Sequence, residues 1–228
     1  MRNILIIGGS SSIGDSVEQA FMNHGDNVLS TYFSSPGKKE NTNIKYIKLD
    51  LCSPISYLPL LDEVAKNALD AMIILSGILP GQSIDDYLES EINEVINVNI
   101  TSNIHIIKAL LPHLKMNSNV ILMSSISAIR GSFDPVYAAS KAAQIGLVRS
   151  LALWNKDKYK INAIAPSLID NSSMYFDMSA QRRAFHKANS SAKKLVTRSD
   201  IAKLIFNLCE PDSKYVNGEI IEINGGTA

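Results

Sequence analysis

Apolar residues in this chain gather in short runs, separated by longer segments of helical character. Runs of strand length lie at Asn3–Ile7, Asn27–Tyr32, Ile44–Leu49, Ala71–Leu75, Asn119–Met123, Ile161–Ile164 and Glu219–Ile223. Several are continuous instead of alternating, as expected of parallel strands covered on both faces. The segments between them predict helices. One covers about Ile13–His24 and is closed by Gly25 as a left-handed C′ residue. Another opens at Ser53-Pro54 and ends before Asp70, and Pro59 makes it irregular or late in starting. A long helix is expected over about Tyr87–Leu114, and a fourth over Val136–Lys156. Alternation of this kind over residues 1–228 predicts one α/β domain. Its architecture is a doubly wound parallel sheet of about seven strands with helices on both faces and right-handed crossovers. Ligands in such sheets lie beyond the carboxyl ends of the strands, so the chemistry is sought in the loops that follow the apolar runs.

Composition agrees. Of the 228 residues, 46% are apolar and 19% charged, which is globular, with no linker, repeat or low-complexity block. Lysine plus arginine equals aspartate plus glutamate at 22 each, so no overall field recruits nucleic acid or an acidic membrane. Cys52 and Cys209 are too few for a disulfide framework and read as buried thiols in a reducing compartment. The first apolar run stops at Gly8, short of a secretory segment. No stretch approaches the roughly 18 apolar residues of a membrane span. The expectation is a cytoplasmic protein with neither nucleic-acid nor membrane partner, and no metal.

The first loop reads Gly8-Gly9-Ser10-Ser11-Ser12-Ile13-Gly14. Glycines at the turn and inside the first helical turn let a backbone approach a pyrophosphate, while a helix N-terminus offers N–H groups and a favourable dipole. A plain Ser/Gly turn would look similar alone; the position between the first strand and a helix points to a nucleotide. Ser12 stands where a third glycine is common.

In "VYAASKAAQIG", Tyr137 and Lys141 are four residues apart, which makes them neighbours on a helix. With eight tyrosines, such a spacing arises by chance at roughly even odds. Its company matters more: Ser124-Ser125 ends the preceding strand, and Asn99 lies further back in "INVNI". A free phenol titrates near about 10, and a lysine ammonium held close lowers that value by about 1–3 units. Tyr137 would then exchange a proton near neutral pH. Each residue also has a plain structural reading, as a packed tyrosine, a strand-end hydroxyl or a buried amide.

The ordered set resembles the short-chain dehydrogenases/reductases of non-extended type, and is similar in layout to 3-oxoacyl-carrier-protein reductases, over nearly the whole chain. "GGSSSIG" resembles the TGxxxGIG loop of that family; "KLDL" resembles the motif whose aspartate, here Asp50, contacts adenine. "ILSG" stands at the NNAG position and keeps only Gly77; "NVN", "MSSISA" and "YAASK" supply Asn99, Ser125, Tyr137 and Lys141; "APSLI" stands for the PG motif. The resemblance implies a Rossmann-type fold and an oxidoreductase that moves a hydride between nicotinamide and a carbonyl or secondary alcohol, on a 3-oxoacyl or other small ketone. Tyr137 would give or take the proton, and Ser125 would hydrogen-bond the substrate oxygen. Lys141 would also hold the ribose hydroxyls, and Asn99 would position a water feeding protons to Lys141. The cofactor set implied is Gly8, Ser10, Ser11, Ser12, Ile13, Gly14, Tyr32, Ser34, Asp50, Leu51, Ser76, Gly77, Tyr137, Lys141, Pro166, Ile169 and Asn171.

An acid at the end of the second strand commonly selects NAD. Here Tyr32 occupies that position, and Ser34, Ser35, Lys38 and Lys39 follow, which favours NADP(H) over NAD(H). Residues 171–194 read as a small substrate lid. Met174, Tyr175, Phe176 and Met178 precede Arg182, Arg183, Lys187, Lys193 and Lys194 there, as in an amphipathic cover with a charged outer face. The competing reading is a non-catalytic dinucleotide-binding redox sensor or scaffold on the same fold. The resemblance also implies a homo-oligomer, a tetramer or dimer, formed through the long central helices and the last strand.

Overall fold

Each strand of the first run serves two cores at once, which explains its unbroken apolar sequence. In the computed structural model, which describes residues 1–36, 43–155 and 158–226, β1 (Asn3–Ile7) turns Leu5 and Ile7 to one side and Ile4 and Ile6 to the other. All four are buried, each contributing about 1.5–3 kcal/mol. The other strands are β2 (Asn27–Tyr32), β3 (Ile44–Lys48), β4 (Leu69–Ile74), β5 (Leu114–Met123), β6 (Tyr159–Pro166) and β7 (Ile220–Ile223). They form one parallel sheet in the order β3-β2-β1-β4-β5-β6-β7. Chain direction across the sheet switches between β1 and β4, the crevice where such folds bind ligands.

Helices cover both faces. On one side lie α2 (Leu58–Val64), α4 (Ser102–Leu110) and α6 (Pro135–Trp154), which bury Leu60, Ile106, Leu110 and Val148. On the other lie α1 (Ser12–Asn23) and α9 (Arg198–Leu208), which bury Val17, Phe21, Ile201 and Ile205. The remaining helices are α3 (Glu89–Ile96), α5 (Ser127–Arg130), α7 (Ser173–Asp177) and α8 (Ala180–Asn189). None of the described helices is long and apolar enough to cross a membrane.

Several sequence expectations hold closely. Gly25 ends α1 at φ +82°, and α2 starts late, behind a 3-10 turn at Pro54–Tyr57 and with Pro59 in its first turn. The helix expected over Tyr87–Leu114 does not form as one. α3 and α4 are joined by a π-helical turn at Asn97–Thr101, Pro112 sits in a 3-10 turn after α4, and Leu114 already belongs to β5. Cys52 is exposed, against the expectation of burial, whereas Cys209 is buried and its thiol is pushed up to about 12. α9 was not anticipated, although Thr197 and Asp200 form a capping box at its start.

Candidate active site

The loop between β1 and α1 is built around glycines that no other residue could replace. Gly8 has φ +81°, and a Cβ there would lie 3.1 Å from the Ser76 nitrogen at the end of β4. At Gly9 a Cβ would come within 1.9 Å of Ser30 Oγ and 2.6 Å of Glu18 Oε1. At Gly14 it would stand 2.2 Å from the Gly9 carbonyl oxygen. The start of α1 therefore rests directly on the loop. Ser11 caps the helix by accepting from the Gly14 amide at 3.0 Å, and Thr31 Oγ1 accepts from the Gly8 amide at 3.0 Å. Ser12 is simply the first residue of α1, and among the described residues the only non-glycines at positive φ are Asn117, Asn171 and Lys193. A serine in that place costs no backbone strain, because the chain is already helical there.

Beneath the loop, buried Glu18 accepts from Ser30 Oγ at 2.5 Å and from Tyr46 OH at 2.8 Å. This hydroxyl-saturated carboxylate left no signature in the sequence. Tyr32, half-buried, ends β2, and the exposed Ser34 follows it. Lys38 and Lys39 lie outside the described residues. Asp50 and Leu51 follow β3; Asp50 Oδ1 accepts from the Cys52 amide at 2.9 Å, and the Leu51 carbonyl accepts from Tyr57 OH at 2.9 Å.

Beyond β4 the crevice meets Asn99, Ser125, Tyr137 and Lys141. Gly77 faces them: a Cβ there would lie 2.9 Å from Lys141 Nζ and 3.2 Å from Asn99 Oδ1. Next to it, Ser76 Oγ is buried with no hydrogen-bond partner. Ile74 and Leu75, at the asparagine positions of the NNAG motif, pack into the two cores instead. Ser125 follows β5, while Tyr137 and Lys141 stand one turn apart on α6. Ser125 Oγ accepts from the Ser127 amide at 3.1 Å, and the hydroxyl lies close enough to the Tyr137 phenol to favour its ionised form. Lys141 Nζ donates to the Met123 carbonyl at 2.7 Å and stands 5.8 Å from the centroid of the Tyr137 ring.

These positions correct the electrostatic expectation. Burial dominates at both groups: it pushes the Tyr137 phenol up, against the nearby Ser125 hydroxyl, with the Asp134 charge adding to the rise. It lowers the Lys141 ammonium to about 8. The amine sits over the ring and on a main-chain carbonyl, so it is not paired with the hydroxyl, and desolvation wins.

Asn99 is also differently engaged than expected. Its Oδ1 accepts from the Ile78 amide at 2.8 Å, and Nδ2 donates to the Ile78 carbonyl at 2.9 Å and to Ser140 Oγ at 3.0 Å. Its main-chain carbonyl accepts from Asn103 Nδ2 at 2.8 Å and Gln144 Nε2 at 2.7 Å. These bonds account for the π turn, since they draw Asn99 sideways out of α-helical register. With both amide hydrogens and the carbonyl engaged by protein groups, Asn99 is a brace for the loop after β4.

Further along, Pro166 ends β6, and Ile169 is buried and bridged to Val196. Asn171 takes φ 56°, just before the Ser172 cap of α7. Arg182 lies over the Phe133 ring at 5.6 Å, which ties the 171–194 segment to the chain ahead of α6, while Arg183 lies over the Tyr175 ring at 4.7 Å within the segment. Asp134, which the sequence reading passed over, caps α6 through the Tyr137 amide at 2.8 Å; an acidic residue just before Pro135 was the available signal.

An α/β crevice that brings Ser, Tyr and Lys together beside a glycine loop defines a dinucleotide-dependent oxidoreductase. Comparison with known proteins agrees: a family model described as enoyl-(acyl carrier protein) reductase matches residues 8–228, and the chain belongs to the short-chain dehydrogenase/reductase family. It is 28% identical to the 3-oxoacyl-[acyl-carrier-protein] reductase FabG of Buchnera aphidicola subsp. Baizongia pistaciae, over 97% of this chain and 95% of that one. It is 30% identical to dehydrogenase/reductase SDR family member 6 of Danio rerio, over 98% and 96% of the two chains. The fold is shared with a short-chain dehydrogenase/reductase from Brucella melitensis, at a TM-score of 0.94, 24% identity and coverage of 100% and 96%. Family membership makes this an enzyme, and it implies a nicotinamide cofactor. The residues fit one: the glycines let the loop, the end of β4 and Lys141 close up without side chains between them, and the buried Ser76 hydroxyl, without a partner among the described residues, is a group that a ligand hydrogen bond would satisfy.

Proposed function

We propose that this enzyme reduces a carbonyl compound to the secondary alcohol with Tyr137 as proton donor, on a 3-oxoacyl or similar small ketone substrate. The observation that carries the reading is the buried Ser125–Tyr137–Lys141 group at the end of β5 and the start of α6. Burial keeps Tyr137 in its phenol form at neutral pH, the form that can give a proton. Ser125, at the end of β5 close to that phenol, would donate to the substrate oxygen as negative charge develops on it. Lys141 places a cation over the ring, which stabilises the phenolate left after transfer. Asn99 fixes Ile78, and hence Gly77, against Lys141. A bound nicotinamide supplies the hydride. Ser10, Ser11, Ser12, Ile13 and Gly14 would hold its pyrophosphate, Asp50 and Leu51 the adenine, and Gly77, Lys141, Pro166, Ile169 and Asn171 the nicotinamide end.

NADP(H) is the preferred cofactor in this reading, because Tyr32 takes the place of an acid and the exposed Ser34 and Ser35 follow it. Glu18 does not oppose this: its carboxylate is turned inward onto Ser30 and Tyr46. The substrate class is supported by the similarity to a 3-oxoacyl-[acyl-carrier-protein] reductase and by a lid bearing the exposed Phe176 and Phe185. We further place the enzyme in the cytoplasm, in keeping with two unpaired cysteines, and as a homo-oligomer, in keeping with the exposed outer face of α6.

The test is turnover of ethyl acetoacetate and acetoacetyl-coenzyme A with NADPH or NADH, followed by loss of the reduced nicotinamide absorbance. Turnover that prefers NADPH supports the reading. Tight cofactor binding with no turnover on any 3-oxo compound would overturn the substrate class, and a clear NADH preference would overturn the cofactor choice.

A further inference from the structure

The segment that follows Gly77 is pinned at two places. Asn99 holds Ile78 through both of its main-chain groups. Asp134 holds the far side: its Oδ2 accepts from the Gly81 amide at 2.9 Å and the Gln82 amide at 3.4 Å. Tyr87 OH donates to both carboxylate oxygens, at 2.9 and 2.8 Å, and burial together with this bond to Asp134 holds the Tyr87 phenol well above its ordinary value. Leu79 and Pro80 lie in the chain between the two pins. The same Asp134 is the cap of α6, where Oδ1 accepts from the amide of Tyr137 itself. It is 1% exposed.

Capping alone does not call for this residue type. A serine or threonine hydroxyl serves as a cap, and an asparagine has one acceptor oxygen, whereas two carboxylate oxygens have room for all four donors present here. We propose that Asp134 is a positioning residue that locks the 79–87 segment to the N-terminus of α6, so that one wall of the substrate pocket keeps a fixed distance from Tyr137. This rests on the reading of Tyr137 as proton donor and adds to it the residue that sets the pocket around that donor. The charge also acts on the phenol. Tyr137 is faced by Asp134, Ser125 and Lys141, and of these Asp134 disfavours the phenolate. Asp134 itself is faced by Tyr87, and Glu91 on α3 is the other charge felt at Tyr87.

The test uses the full chain carrying Asp134→Ser, Asp134→Asn or Tyr87→Phe, with NADPH and ethyl acetoacetate as probes. Asp134→Ser keeps a cap but loses the bridge. Amide exchange at Gly81 and Gln82 is expected to speed up by about ten- to a hundredfold, while amides of β1, β4 and β5 stay as in the wild type. Its KM rises and kcat falls together, because the wall and the donor are no longer held in register. Asp134→Asn keeps the cap and removes the charge. Without that charge the phenolate is less disfavoured, so the alkaline limb of the reduction profile moves to lower pH. Tyr87→Phe removes one bond and gives a smaller acceleration at the same two amides. Wild-type exchange at Gly81 and Gln82 in Asp134→Ser and Tyr87→Phe would overturn the proposal, as would unchanged kinetics and pH profile in Asp134→Asn. Should Asp134→Ser fail to fold, the other two variants decide. Should the wild type not turn over the keto ester, the functional reading falls, and the exchange rates still decide the positioning role.

Discussion

At the scale of single residues, the buried pair of Tyr137 and Lys141 makes two separable predictions. Tyr137→Phe removes the acidic hydrogen and little volume, so the fold and NADPH binding are expected to survive while kcat falls by about a hundred- to ten-thousandfold. Near-normal kcat in that variant, measured with any accepted ketone, would remove Tyr137 from the donor role. Lys141 contributes differently. Its native value of about 8 lies below the 10.5 of an unfolded chain, so the native state loses the proton first as pH rises. Below about 8 both states carry the charge, and the penalty of burying it is fully present. Between about 8 and 10.5 only the unfolded chain holds the proton, and stability rises with pH. The penalty corresponds to roughly 3 kcal/mol, offset by about 1 kcal/mol from the bond to the Met123 carbonyl. Lys141→Met is therefore expected to stabilise the cofactor-free protein by about 2 kcal/mol at pH 7 while abolishing turnover, with the gain shrinking as pH rises through that window. Thermal melts across pH check this; a destabilised variant at pH 7 would show that the ammonium is better solvated than its burial implies.

Elements were legible in the sequence to the extent that their causes are local. β1 and β2 were readable to the residue, since continuous apolar runs between turn residues have few other solutions, and the glycine loop was readable because it sits between β1 and α1. Ser125, Tyr137 and Lys141 stand out by order, spacing and the family resemblance, and the structure gathers them at the end of β5 and the start of α6. The break at Asn99 was not, because it follows from bonds to Ile78, Ser140 and Gln144, partners distant along the chain. Asp134 shows both sides: its cap could be read beside Pro135, but its hold on Gly81, Gln82 and Tyr87 could not. α9 was overlooked although its cause is local. Thr197 and Asp200 bond each other reciprocally ahead of the buried stripe Ile201, Ala202, Ile205 and Leu208. Removing that cap with Thr197→Ala is expected to cost about 1 kcal/mol, read by urea denaturation. An unchanged midpoint would mean that packing of α9 on α1 alone fixes its start.

On the scale of the whole molecule, α6 has two faces with different tasks. Inward it buries Val136, Tyr137, Ser140, Lys141, Gln144 and Val148. Outward it exposes Ala142, Gly146, Arg149 and Leu153 at helical spacing, with Ala143, Ser150 and Trp154 alongside, and Leu153 and Trp154 are each 75% exposed. Small residues along a helix allow another helix to come close, and two large apolar groups at the end would gain from being covered. We expect this face to pair with its copy in a second chain. A stable pair needs about 1,200–2,000 Å² of total buried surface, more than one helix offers, so neighbouring α4, with Ile104 exposed, would contribute. Light scattering at micromolar concentration should then report a multimer. Trp154 is the only tryptophan, so its emission should shift to longer wavelength on dilution. Gly146→Glu places a charge in the centre of the face and should yield monomers. Because the opposite face of the same helix carries Tyr137 and Lys141, those monomers should also lose turnover without any change at the site itself. A wild-type monomer at high concentration, fully active, would show that α6 is held in place by its own chain alone.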